Sequence, residues 1–222
     1  MKISRLEFIV VAILLFTGLH FYNQYKMEKE LPLESAEELQ AIYHDGENPP
    51  VIVAFGDSLT YGTGARSAGV DNSYPAQLSK MLGLKVINEG VPGEMAETAH
   101  SRLTEVLKRY KPSIIILCEG GNDMLRARRP ENIKRDLKNM VDAALNSGAE
   151  VILLGVPELT AFFHRDAGFY REIADETGVL YIPDTFSDLF SDDSLMSDQI
   201  HPNAKGYAII ARKIYEAIRG TL

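Results

Sequence analysis

The sequence predicts an α/β protein: a parallel, five-stranded sheet covered on both sides by helices. Three observations carry this. From Val51 onward, short apolar runs alternate with amphipathic stretches. The runs, at 51–55, 85–88, 113–118, 151–156 and 179–182, are rich in Val and Ile, as strands buried on both faces require. Polar, glycine-bearing clusters follow the first three runs, where loops of such a sheet meet their ligands.

The elements follow in order. The first run ends in Gly56-Asp57-Ser58. A helical pattern at 74–82 leads to the second run, which ends in Glu89-Gly90-Val91-Pro92-Gly93. The pattern at 97–110 leads to the third run and Glu119-Gly120-Gly121-Asn122-Asp123. Helices are expected at 131–147 and 165–177, and a last one at 203–218 with Ala208, Ile209, Ala211, Ile214 and Ile218 on its apolar side. This alternation argues for a parallel sheet with helices on both of its faces.

At 222 residues the chain suits one domain, residues 51–222, behind a short extension. Residues 1–22 open with Lys2 and Arg5 and continue through an apolar stretch from Phe8 to Tyr22. A basic start before an apolar run is a signal-anchor or a cleaved signal peptide. The stretch is short for a spanning helix, but no small-residue cleavage site follows it, which favours the anchor. Either way the domain is expected on the extracytoplasmic side of a membrane. Residues 23–50 read as a polar spacer, with a short helix at 34–43, ending at Pro49-Pro50.

A net charge of −8 argues against nucleic acid as a partner. The single cysteine, Cys118, rules out an intrachain disulfide and a cysteine-based zinc site, and its place in an apolar run makes it a core residue. No metal or organic cofactor is expected. Nothing in the sequence points to an oligomeric state.

Ser58 lies just past a buried strand. It can present its hydroxyl to the crevice, or simply cap a turn or helix. Asp198-Gln199-Ile200-His201 sets a carboxylate three residues before an imidazole. In a tight turn that carboxylate can accept from Nδ1–H and leave Nε2 facing a hydroxyl, as a general base needs. Pro202 and the last helix follow, so the helix dipole disfavours the imidazolium and a carboxylate is needed to stabilise it. His20, His44, His100 and His164 read as leader, spacer or helical residues. Gly120, Gly121 and Asn122 either let backbone approach a substrate or form an ordinary turn. Gly62-Thr63-Gly64 reads as a mobile loop beside Ser58, because Ser67 stands where a dinucleotide fingerprint needs glycine. There is no G-x-S-x-G, P-loop or H-E-x-x-H string.

Taken in order, these pieces resemble the SGNH/GDSL hydrolase family. Gly56-Asp57-Ser58-Leu59, Gly93, Gly120-Gly121-Asn122-Asp123 and Asp198 to His201 match its four blocks. The resemblance spans about residues 51–222 and looks most like bacterial lysophospholipase, thioesterase and arylesterase members. It implies a flavodoxin-like three-layer αβα sandwich. It implies Ser58 as nucleophile, His201 as base and Asp198 as its orienting acid. The N–H groups of Ser58 and Gly93 and the amide of Asn122 would form the oxyanion hole, with Gly90 competing for the Gly93 role.

The expected substrate is a small-molecule or lipid ester, with the membrane met through the N-terminal segment. Gly121, Arg126, Phe162 and Phe163 are candidate substrate contacts. Arg126, Arg128 and Arg129 could equally form a solvated basic loop, and the two phenylalanines could pack a helix. The same site would suit an acyltransferase or a carbohydrate O-deacetylase. A reading from another class is a non-catalytic binding domain on this sandwich, for instance one that holds a flavin.

Overall fold

Five parallel strands form the central sheet: β1 (Ile52–Gly56), β2 (Val86–Gly90), β3 (Ile114–Cys118), β4 (Glu150–Leu154) and β5 (Leu180–Ile182). Their spatial order is β2-β1-β3-β4-β5. The computed structural model describes residues 49–67, 69–159 and 164–220. The expected leader, almost all of the spacer with its short helix, and Phe162 and Phe163 lie outside the described residues.

Every residue of β1 and β3 is buried, which accounts for their unbroken apolar sequence. The strand order reverses between β1 and β3, where open sheets of this type bind ligands. The register sharpens this. Gly56 pairs with Gly90 on one side and Cys118 on the other, so three strands end level. The three polar clusters therefore start from one line.

Seven α-helices are described: α1 (Ser58–Tyr61), α2 (Tyr74–Leu82), α3 (Ala96–Tyr110), α4 (Gly121–Leu125), α5 (Pro130–Asn146), α6 (Gly168–Thr177) and α7 (Ala204–Gly220). The α2 helix packs on α7, while α5 packs on both α3 and α6. These two groups form the outer layers of the sandwich. The start of α2 is legible in its residues: Ser73 accepts from the Ala76 N–H, and Pro75 stands in the first turn.

Three expectations need correction. The helix expected from 165 begins only at Gly168, and His164–Asp166 pairs antiparallel with Pro157–Leu159. His164 thus opens a strand and is not helical. The cause is long-range. Asp166 Oδ2 accepts from the Tyr181 hydroxyl (2.7 Å) and the Asp184 N–H (2.8 Å). It also fills the space where a Cβ on Gly155 would sit. The fourth strand ends at Leu154, two residues early, because Gly155 takes part in this contact.

The Gly62–Gly64 turn is packed in place. Gly62 caps α1 at φ +91°. A Cβ on Gly64 would lie 2.6 Å from Ser197 Cβ. The Tyr207 hydroxyl donates to the Thr63 carbonyl at 3.0 Å.

Candidate active site

The turn after β1 sets Ser58. Gly56 admits close backbone approach: a Cβ there would lie 2.2 Å from the Cys118 carbonyl oxygen. Asp57 then caps α1, its Oδ1 accepting from the Leu59 N–H at 2.9 Å. Ser58 becomes the first helical residue, so its N–H has no acceptor within the helix. The half-buried hydroxyl faces His201 Nε2 at 3.1 Å, across a sequence separation of 143.

His201 is held by its own turn. Its Nδ1 meets Asp198 Oδ2 at 2.8 Å and Oδ1 at 3.0 Å. Asp198 Oδ1 also accepts the N–H groups of Ile200 (2.9 Å) and His201 (2.8 Å). Burial acts to raise the Asp198 carboxyl, but these N–H groups and the imidazole outweigh it and hold it below the ordinary range. The Ser197 N–H donates to the His201 carbonyl at 2.8 Å, closing the loop. Asn203 fixes the loop to α7: its Oδ1 accepts from the Lys205 N–H, and its Nδ2 donates to the Ser194 and Met196 carbonyls.

The loops after β2 and β3 complete the site. Gly93 has φ +80° and open space where a Cβ would be. Its N–H has no partner among the described residues. Gly90 lacks that freedom, since its N–H donates to Asn88 Oδ1 at 3.0 Å. Of the two glycines, only Gly93 retains a free donor. Asn122 Nδ2 donates to Asp57 Oδ2 at 3.0 Å. Asp123 joins the two loops: its Oδ2 accepts from the Ala96 N–H at 2.9 Å and its Oδ1 from Arg128 at 2.8 Å.

Ser58, Gly93, Gly121, Asn122 and His201 all line one cavity of about 630 Å³. Its apolar wall includes Met124, Leu125, Ile133, Val156, Phe169 and Phe190. Arg128 also lines it, but its charge is met by Asp123 (2.8 Å), Asp136 (2.6 Å) and Glu97 (3.2 Å). Arg126 lies outside the lining, its Nη1 3.4 Å from the Gly93 carbonyl. Asp198 stands behind His201 on the exposed side of the loop. Among the described residues no group of three or more His, Cys, Asp or Glu side chains is arranged to hold a metal ion.

Sequence reasoning missed the roles of Asp57, Asp123 and Arg128. A carboxylate directly before a short helix is an N-cap signal, and it could have marked Asp57. The apolar wall carries no local signal, because its members come from α4, α5, α6 and separate loops.

A doubly wound parallel sheet that brings a hydroxyl, an imidazole and a carboxylate into hydrogen-bonded series at its switch point has the parts that nucleophilic acyl chemistry needs. The comparisons with known proteins agree. Residues 54–209 match the model of the GDSL-like Lipase/Acylhydrolase family. Thioesterase 1/protease 1/lysophospholipase L1 of Escherichia coli K12 is 26% identical over 168 residues, covering 72% of this chain and 79% of that protein. Esterase TesA of Pseudomonas aeruginosa is 25% identical over 186 residues, covering 77% and 89%. The crystal structure of the esterase EstA from Pseudoalteromonas sp. has the same fold, with a TM-score of 0.68 at 20% identity over 78% of this chain and 98% of that one. The chain belongs to the GDSL-like lipase/acylhydrolase family and is an ester hydrolase of the SGNH/GDSL type.

Proposed function

We propose that the protein is a serine esterase that cleaves carboxylic esters or thioesters of apolar acyl groups through an acyl-enzyme. The observation that carries this is the 3.1 Å contact between Ser58 Oγ and His201 Nε2 at the edge of an apolar cavity. In this reading Ser58 Oγ attacks the carbonyl carbon while His201 Nε2 takes the hydroxyl proton. The tetrahedral oxyanion is met by the N–H groups of Ser58 and Gly93 and the amide of Asn122. The carbonyl re-forms, and the leaving alcohol or thiol departs with the proton held by His201. Water then attacks the acyl-enzyme with His201 again as base, releasing the acid and free Ser58. Asp198 holds the imidazole tautomer and stabilises the imidazolium.

The cavity supports a neutral acyl group. Its wall is largely apolar, and the Arg128 guanidinium is already neutralised. The test uses purified protein and p-nitrophenyl esters of increasing acyl length. Hydrolysis is expected, with preference for chains long enough to fill the cavity. Asn122→Ala should lower kcat by about 10² to 10³ with little change in KM, the usual effect of losing one oxyanion donor. A rise in KM at unchanged kcat would remove Asn122 from that role.

A further inference from the structure

Asp57 has no part in the steps above, yet it lies buried directly beneath the reacting groups. Its two oxygens reach different elements. Oδ1 accepts from the Leu59 N–H at 2.9 Å, and Oδ2 accepts from Asn122 Nδ2 at 3.0 Å. An ionised carboxylate offers acceptors only, whereas an amide carries a donor end and an acceptor end. The pair is therefore polarised. Only the NH2 end of Asn122 can face Asp57, and its second N–H is then left for another acceptor.

From this we propose that Asp57 is a positioning residue whose charge locks the Asn122 amide in the orientation that donates to the oxyanion. The inference rests on the reading of Asn122 as an oxyanion donor. Without the charge, the amide is free to flip and aim its carbonyl oxygen at the developing negative charge. Gly121 belongs to the same device: a Cβ there would lie 3.3 Å from Asp57 Oδ2.

The electrostatics set a cost on this arrangement. Burial raises the Asp57 carboxyl from 3.8 to about 6; the Leu59 N–H, His201 and Asn122 lower it and Asp123 raises it. The other titratable groups around it are Glu119 and Cys118 at the end of β3, Tyr74 of α2, Tyr170 of α6 and Tyr207 of α7. The folded-state value is raised, so the fold favours the neutral acid. That contribution to stability is complete below the ordinary value of 3.8 and is lost as pH rises through about 6. The form the mechanism uses is thus the form the fold disfavours.

Asp57→Asn separates positioning from structural support, because Asn caps a helix about as well as Asp and carries no buried charge. The variant should lose about 10² to 10³ in kcat with KM changed by less than about threefold. Its melting temperature at about pH 8 should equal or exceed that of the wild type. The Asp57 carboxyl should add one proton to the wild-type acid limb of kcat/KM near pH 6, and Asp57→Asn should lack it.

The double variant with Asn122→Ala should be no slower than Asn122→Ala alone, since the two residues act through one donor. Losses that multiply in the double variant, or an Asp57→Asn variant that keeps the wild-type kcat, would overturn the inference. Neither result touches the parent reading of Asn122 as an oxyanion donor, which stands or falls on the kcat and KM of Asn122→Ala alone.

Discussion

Ser58→Ala is expected to lower ester turnover by about 10⁴ to 10⁶ while leaving the protein folded. The size of the loss follows from the chemistry. In the proposed mechanism no acyl-enzyme forms without the hydroxyl, and the remaining rate comes from binding and the oxyanion donors acting on water. The fold should hardly notice. Among the described residues the one side-chain hydrogen bond of Ser58 goes to His201, and α1 is capped by Asp57. Alanine is also the best helix former. Chemical denaturation should show stability within about 0.5 kcal/mol of the wild type. Retained turnover would remove Ser58 from the mechanism, whereas a large loss of stability would mean that activity was lost through the fold.

Arg102→Met is expected to have the largest effect on stability, a loss of about 3 kcal/mol, read from denaturant unfolding at neutral pH. Arg102 projects from α3 into the end of the sheet, its guanidinium 3.9 Å over the Phe55 ring. It donates to the Glu89 carbonyl (2.9 Å) and the Gly56 carbonyl (3.2 Å) and forms ion pairs with Glu94 and Glu89. Glu94 is 9% exposed in its side chain. Glu119, fully buried nearby, has no hydrogen-bond partner on either carboxylate oxygen among the described residues. Burial pushes its carboxyl well above the ordinary range, and Arg102 is among the groups that act to lower it. Removing the cation leaves the Glu94 and Glu89 carboxylates without their ion pairs, so the loss of stability should shrink in acid, where carboxylates are neutralised. A loss that stayed constant with pH would mean that packing on Phe55, rather than charge, is the main contribution of Arg102.

What could be read from the sequence depended on how local the cause was. The β1 and β3 runs are apolar throughout because both faces are buried, so periodicity found them. The Ser73 cap and Pro75 marked the start of α2. By contrast, the hairpin at His164–Asp166 depends on Tyr181, Asp184 and Gly155, and no local pattern contains those partners.

The site divides in the same way. Asp198 and His201 are three residues apart and meet within one turn, so their pairing was visible as a string. The place of Ser58 after a strand left it open between a presented hydroxyl and a turn cap, and only the four blocks in order pointed to it as nucleophile. The bond from Asp57 to Asn122 spans 65 residues and depends on β1 and β3 ending level. The same holds for Asp123, which ties α4 to the start of α3. Composition and spacing carry no trace of either.

The most direct measurement is rapid-quench trapping of the protein during hydrolysis of a p-nitrophenyl ester, followed by peptide mass mapping. One acyl group is expected, added to the peptide that contains Ser58, appearing with the first turnover and decaying as acid is released. Steady hydrolysis with no trapped acyl group on that peptide, or with the acyl group on another residue, would contradict it.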